Sequence, residues 1–175
     1  TYLESAIDRI LEINKDLQSD TKIRVITISV GWNSEKKGFK EVTASVERAK
    51  KEGIFAVSSS LSDTYGYRFS GLGRNALDDP NAFESYRPGE FWASRFYGGY
   101  ISLGENTLLV PMDSRCTASP TGQEDYVFYS TGGWSWSIPY IAGLYALACE
   151  VDPSITPDVF WENALATGTR TTIEK

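Results

Sequence analysis

The chain has 175 residues, 41% of them hydrophobic and 13% aromatic, which is enough apolar material for one domain with its own core. A net charge of −6 spread over interspersed acidic and basic residues argues against binding to nucleic acid or an anionic membrane surface, and no apolar run reaches the length of a membrane span. Histidine is absent, and the two cysteines, Cys116 and Cys149, are too far apart in sequence to read as a metal site; whether they pair is left open.

In chain order, Thr1-Tyr2-Leu3-Glu4 has the form of a capping box, and Leu3, Ile7, Ile10 and Leu11 continue at helical spacing, so residues 2 to 17 are expected to form a helix with one apolar face. No charged-then-apolar leader opens the chain at Thr1. After a polar loop at residues 18 to 22, the β-branched run from Ile23 to Gly31 reads as a buried strand of a parallel sheet. Phe39, Val42, Val46 and Ala49 recur at helical intervals, with Lys50 and Lys51 at the negative end of the dipole and Gly53 just beyond, which predicts a helix over residues 39 to 51. Ile54 to Ser59 is a second apolar strand. Two strands joined by one helix make a right-handed βαβ unit, whose function is expected beyond the carboxyl ends of the strands, at Ser29 to Gly31 and Ser58 to Ser62.

Residues 63 to 99 are rich in glycine, proline and aromatics without a sustained period and read as ordered loops with short strands. The clusters Tyr65 to Phe69 and Phe91 to Tyr97 are expected to be the cores of those loops, with ligand contact as the alternative. Tyr100 to Leu103 and Thr107 to Pro111 read as further strands, residues 116 to 124 as a polar hairpin-like loop, and residues 126 to 129 as a segment returning toward Ser135. Near the end, Asp152-Pro153 stops one helix, and Thr156-Pro157-Asp158 supplies a cap, a first-position proline and a first-turn acid for another that Gly168 terminates.

The stretch that carries chemistry is Gly132-Gly133-Trp134-Ser135-Trp136-Ser137-Ile138-Pro139-Tyr140-Ile141-Ala142-Gly143. Glycines permit a sharp turn, a hydroxyl follows, and the chain then enters an apolar helix whose first N–H groups and positive dipole end would face that hydroxyl. Gly143 within this helix suggests close backbone packing. The Gly-x-Ser-x-Gly pattern of α/β-hydrolases fails, because Ser137 stands where its second glycine belongs.

The same stretch resembles the active-site serine motif of the subtilisin-like serine proteases, usually Gly-Thr-Ser-Met-Ala-Thr/Ser-Pro-His/Tyr-Val-Ala-Gly. Gly133, Ser135, Pro139, Tyr140, Ala142 and Gly143 fit it; Trp134, Trp136, Ser137 and Ile138 depart from it. The resemblance implies an α/β fold, a doubly wound and mostly parallel sheet with helices on both faces, of which residues 1–175 would be the carboxyl-terminal part. It implies Ser135 as nucleophile and Ser29-Val30-Gly31 as the strand end that pairs with extended substrate, a segment that without the resemblance is only a strand end. Where that family has Gly-Asn, the asparagine donating to the oxyanion, this chain has Leu61-Ser62, leaving Ser62, or Ser60, as an imperfect substitute. No metal ligands are readable, and calcium enters only through the resemblance, as does a secreted or cell-envelope location over a cytoplasmic one. The implied partners are a peptide or protein substrate and an upstream segment of the same protein bearing the Asp and His, since this chain lacks the histidine that a serine nucleophile ordinarily uses. The complete protein would then be a serine endopeptidase. Two other readings stay open: a catalytically inactive relative that binds peptides or proteins, and a carbohydrate- or peptide-binding domain built on the aromatic loops.

Overall fold

In the computed structural model, which describes residues 1–174, the capping box forms as expected. Glu4 N donates to Thr1 Oγ1 at 3.2 Å and starts helix α1 (Tyr2–Asp16), which buries Ile7, Leu11 and Asn14. Asn14 is polar but satisfied: its Oδ1 accepts from Ile23 N at 2.7 Å and so fixes the turn into strand β1 (Val25–Ile28). Helix α2 (Phe39–Lys51) keeps the predicted bounds and buries Val42, Ser45, Val46 and Ala49. Strand β2 (Phe55–Ser58) follows and pairs with β1 in parallel, Val25 opposite Phe55 through Ile28 opposite Ser58. All four β2 residues are buried, so both of its faces are covered, as an interior parallel strand requires.

The one-turn helix α3 (Leu61–Thr64) leads into a second sheet, in which β3 (Arg68–Gly73) is flanked by the two-residue antiparallel β4 (Arg87–Pro88) and the parallel β5 (Thr107–Pro111). The parallel strands thus stand in two sheets. Tyr65 separates them. In β2, Phe55 N donates to Arg24 O on the β1 side, so Ala56 N faces away from β1, and there it donates to the Tyr65 hydroxyl at 3.1 Å instead of to another strand.

Helix α4 (Glu90–Tyr97) lies in the stretch expected to be loop; its eight residues are too few for a helical period to stand out. Its Trp92 and Phe96, with Met112, form a small second core, so these aromatics serve packing, as expected of their cluster. Residues 100 to 103 are not a strand. Ile101 and Leu103 alternate as strand residues would, but they pack on this small core from a coil that folds back over α4, with Tyr100 N donating to Arg95 O at 2.8 Å. Strands β6 (Arg115–Ala118) and β7 (Tyr126–Tyr129) form the hairpin around the polar loop.

Helix α5 (Trp134–Val151) packs on β1, β2, β3 and β5 and joins the two sheets through one core. Phe55 is the hub, with ring centroids of Tyr65 and Tyr145 each at 5.1 Å and Phe160 at 6.3 Å. Phe160 belongs to helix α6 (Pro157–Thr167), capped by Thr156 as its sequence predicts. Cys116 is exposed, Cys149 is half-buried, and both are free thiols.

Candidate active site

Ser135 occupies the second position of α5, two residues after the extended Gly133. The first turn carries no acidic side chain to neutralise the positive end of an 18-residue helix, so that end is electrostatically open to an anion. Ser135 is exposed, between Trp134, which is 36% exposed, and Trp136, which is half-buried. The two tryptophans do not cover it, because each is held by another ring: Trp134 edge-on to Phe91 at 5.5 Å, Trp136 against Tyr129 at 4.6 Å.

The structure brings Ser135 and Ser29 together. Ser135 Oγ donates to Ser29 O at 3.0 Å, and Ser29 Oγ donates to Ser135 O at 3.2 Å. The second bond has its origin in the sequence. Pro139 has no N–H, so the Ser135 carbonyl four residues earlier loses its helical partner, and the Ser29 hydroxyl takes that place. Pro139 inside a helix and Ser29 at a strand end are therefore one device that ties the start of α5 to the end of β1. Val30 and Gly31 are exposed beside it, and Val30 O accepts from Ser59 N at 3.3 Å.

Ser62 lies exposed on α3, and among the described residues no hydrogen bond joins it to Ser135. Ser60 is engaged elsewhere: its buried hydroxyl donates to Trp32 O at 2.6 Å and accepts from Trp32 N at 2.7 Å. Gly143 is a correction. A Cβ placed there meets nothing within 4 Å, because this side of α5 faces outward and not into the core.

Asp113 is the residue that sequence reasoning missed. It is 6% exposed, and each carboxylate oxygen accepts a backbone N–H: Oδ1 from Gly132 at 2.8 Å and Oδ2 from Glu90 at 2.9 Å. One side chain thus fixes the loop before Ser135 and caps α4, satisfying donors that burial would otherwise leave costly. Thr131 Oγ1 to Glu90 Oε2, at 2.6 Å, reinforces the same junction. Gly132 is obligatory here, since a Cβ would lie 2.3 Å from Met112 O and 2.9 Å from Trp136 Cδ1. The only sequence signal for Asp113 is an acid two residues past the end of an apolar strand. A cleft of about 320 Å³ opens beside this clamp, lined by Arg74, Arg87, Glu90, Tyr97, Asp113 and Ser130. Among the described residues no three of His, Cys, Asp and Glu stand together to hold a metal ion, and no helix is long and apolar enough to cross a membrane.

The arrangement matches a known architecture. The solved structure of Sphericase superposes with a TM-score of 0.59 and 16% identity, over 92% of this chain and 53% of that one. The fold is subtilisin-like. The chain spans about half the length of that structural neighbour. No protein-family profile matches the sequence, and no curated protein does. Identity at this level speaks for the subtilisin-like fold and leaves the chemistry to be argued from Ser135 and its surroundings.

Proposed function

We propose that this chain supplies the nucleophile of a serine endopeptidase. The observation that carries the reading is an exposed serine on the first turn of an uncapped apolar helix, hydrogen-bonded to the end of a parallel strand. In this mechanism Ser135 Oγ adds to the scissile carbonyl carbon while its proton passes to a base; the C–N bond then breaks, the base returns the proton to the leaving amine, and water releases the acyl group from Ser135. The Ser135 N–H and the α5 dipole receive the negative oxygen, with Ser62 as a weak auxiliary donor. Ser29, Val30 and Gly31 offer the backbone edge along which extended substrate lies. The base and its orienting acid, His and Asp, belong to an upstream segment of the same protein, because this chain has no histidine. The substrate is a peptide or protein.

A second reading, an inactive relative that binds peptides, draws on one specific observation. The Ser135 hydroxyl donates its proton to Ser29 O, so the nucleophile must break that bond before a base can take the proton. A fluorophosphonate applied to the full-length protein separates the two. Covalent labelling of Ser135, abolished by Ser135→Ala and absent from the fully buried Ser137, is the expected result. Folded full-length protein that takes no label assigns the chain to the binding module.

A further inference from the structure

The cleft beside the Asp113 clamp is lined by two guanidiniums, Arg74 and Arg87, and by two carboxylates, Glu90 and Asp113. Opposite charges so close ordinarily pair, yet among the described residues neither arginine forms an ion pair. The carboxylates are committed elsewhere: Asp113 takes an N–H on each oxygen, and Glu90 Oε2 accepts from Thr131 Oγ1, so both serve the junction before Ser135. Arg74 is fixed by neutral partners alone. Its Nη1 donates to Asn75 O at 2.8 Å, to Ala76 O at 3.3 Å and to Asp78 O, and its Nη2 to Ser114 O at 3.4 Å. Arg87, which is exposed, donates from Nη2 to Asn75 Oδ1 at 2.6 Å, and its remaining N–H groups have no acceptor among the described residues. Asn75 therefore holds both guanidiniums, Arg74 by its carbonyl and Arg87 by its side chain. Two cations kept near each other without a counterion repel, and an incoming anion relieves that repulsion.

We propose that this cleft is a carboxylate-binding subsite for the part of the peptide beyond the scissile bond, with Arg87 gripping the anion and Arg74 as its fixed neighbour. This rests on the peptidase reading of Ser135. Asp113 in the cleft wall bonds Gly132 N, and Gly132 stands three residues before Ser135, at most about 11 Å away along the chain. Ser135 bonds Ser29 at the strand end, whereas its neighbour Trp134 packs on Phe91 of α4, the helix that begins with Glu90. A peptide laid along Ser29 to Gly31 and carried past Ser135 runs toward α4 and the cleft. About three to four residues of extended chain bridge that distance. The anion is an Asp or Glu side chain or the carboxyl terminus of the peptide, since a planar guanidinium takes either in a two-point fork. At about 320 Å³ the cleft is at the small end of ligand pockets, which run from roughly 300 to 1,000 Å³, so it holds one residue end and not a length of chain.

The test offers the full-length protein the peptides of a digested, unfolded protein in two forms, with carboxylates free or converted to amides. The free form is expected to be cleaved about tenfold or more faster at low salt, the difference lying in KM, with an Asp, a Glu or the carboxyl terminus within about four residues after each cut. Arg87→Gln, at an exposed position, should bring the ratio of the two rates close to one. The ratio is taken within one protein, so a partial loss of folded material does not move it. Arg74 is left in place because it also holds its own loop. The fastest-cleaved peptide is then remade with Asn and Gln for Asp and Glu, or with only its carboxyl terminus amidated, and the change that slows cleavage names the source of the carboxylate. Equal cleavage of the free and amidated forms, or a preference that survives Arg87→Gln, overturns the inference and leaves the peptidase reading standing. If the protein cleaves neither form, fluorescence anisotropy measures binding of the free-carboxylate peptides. Binding weakened about tenfold by amidation and by Arg87→Gln keeps the cleft and removes the peptidase reading, whereas no binding removes both.

Discussion

Asp113 and Gly132 set the position of the loop that leads to Ser135, the first as acceptor for two backbone N–H groups and the second by leaving room for Met112 O. Asp113→Ala removes the acceptor of two buried N–H groups, and a loss of about 2–4 kcal/mol is expected, read as a lower urea midpoint at unchanged slope. Gly132→Ala forces a methyl group against Met112 O and should cost about 1–3 kcal/mol, whereas Gly133→Ala, with only Phe91 Cδ2 at 3.9 Å, should cost much less. A comparable loss from both glycine variants would mean that the sharp turn, and not the contact with Met112, is what the loop requires. The place of Ser135 at a helix start was legible in the sequence, because glycines followed by an apolar run mark a turn into a helix. Asp113 was not, because a carboxylate that binds backbone amides leaves no pattern until the segments it joins are folded together.

At the scale of elements, α1, β1, α2, β2 and α6 could be read from local signals: a capping box, two β-branched runs, a helical period and an N-cap with its proline. Helix α4 and the coil at residues 100 to 103 could not, since a short helix and an unpaired alternating run differ only in whether a neighbouring strand exists. The break between the two sheets was equally hidden: where a further strand could pair with β2, Ala56 N donates to the Tyr65 hydroxyl. Tyr65 holds that position as a neutral phenol, and burial pushes its pKa up to about 12. Tyr67, beside it, is also raised, first by burial and then by its hydrogen bond to Asp158. The neutral form is the one the folded state prefers, so the stabilisation is fully present below the ordinary tyrosine pKa near 10 and is lost as pH rises through about 12. Ultraviolet titration of the ten tyrosines should therefore show a delayed class that ionises only with loss of near-ultraviolet circular dichroism. Ionisation of all ten in one step, with the fold intact, would contradict the buried role given to Tyr65 and Tyr67.

For the whole molecule, the apolar outer side of α5 should govern how the chain behaves in solution. Leu147 is 64% exposed in these 175 residues, so Leu147→Glu places a charge in water and breaks an apolar patch. In the isolated chain this change should leave stability within about 0.5 kcal/mol and reduce self-association, which light scattering at rising concentration would record. The isolated chain should show no peptidase activity in either form, because an unactivated serine is a weak nucleophile at neutral pH and no histidine is present to act as its base. Turnover of an unfolded protein by the isolated chain, abolished by Ser135→Ala, would refute that expectation.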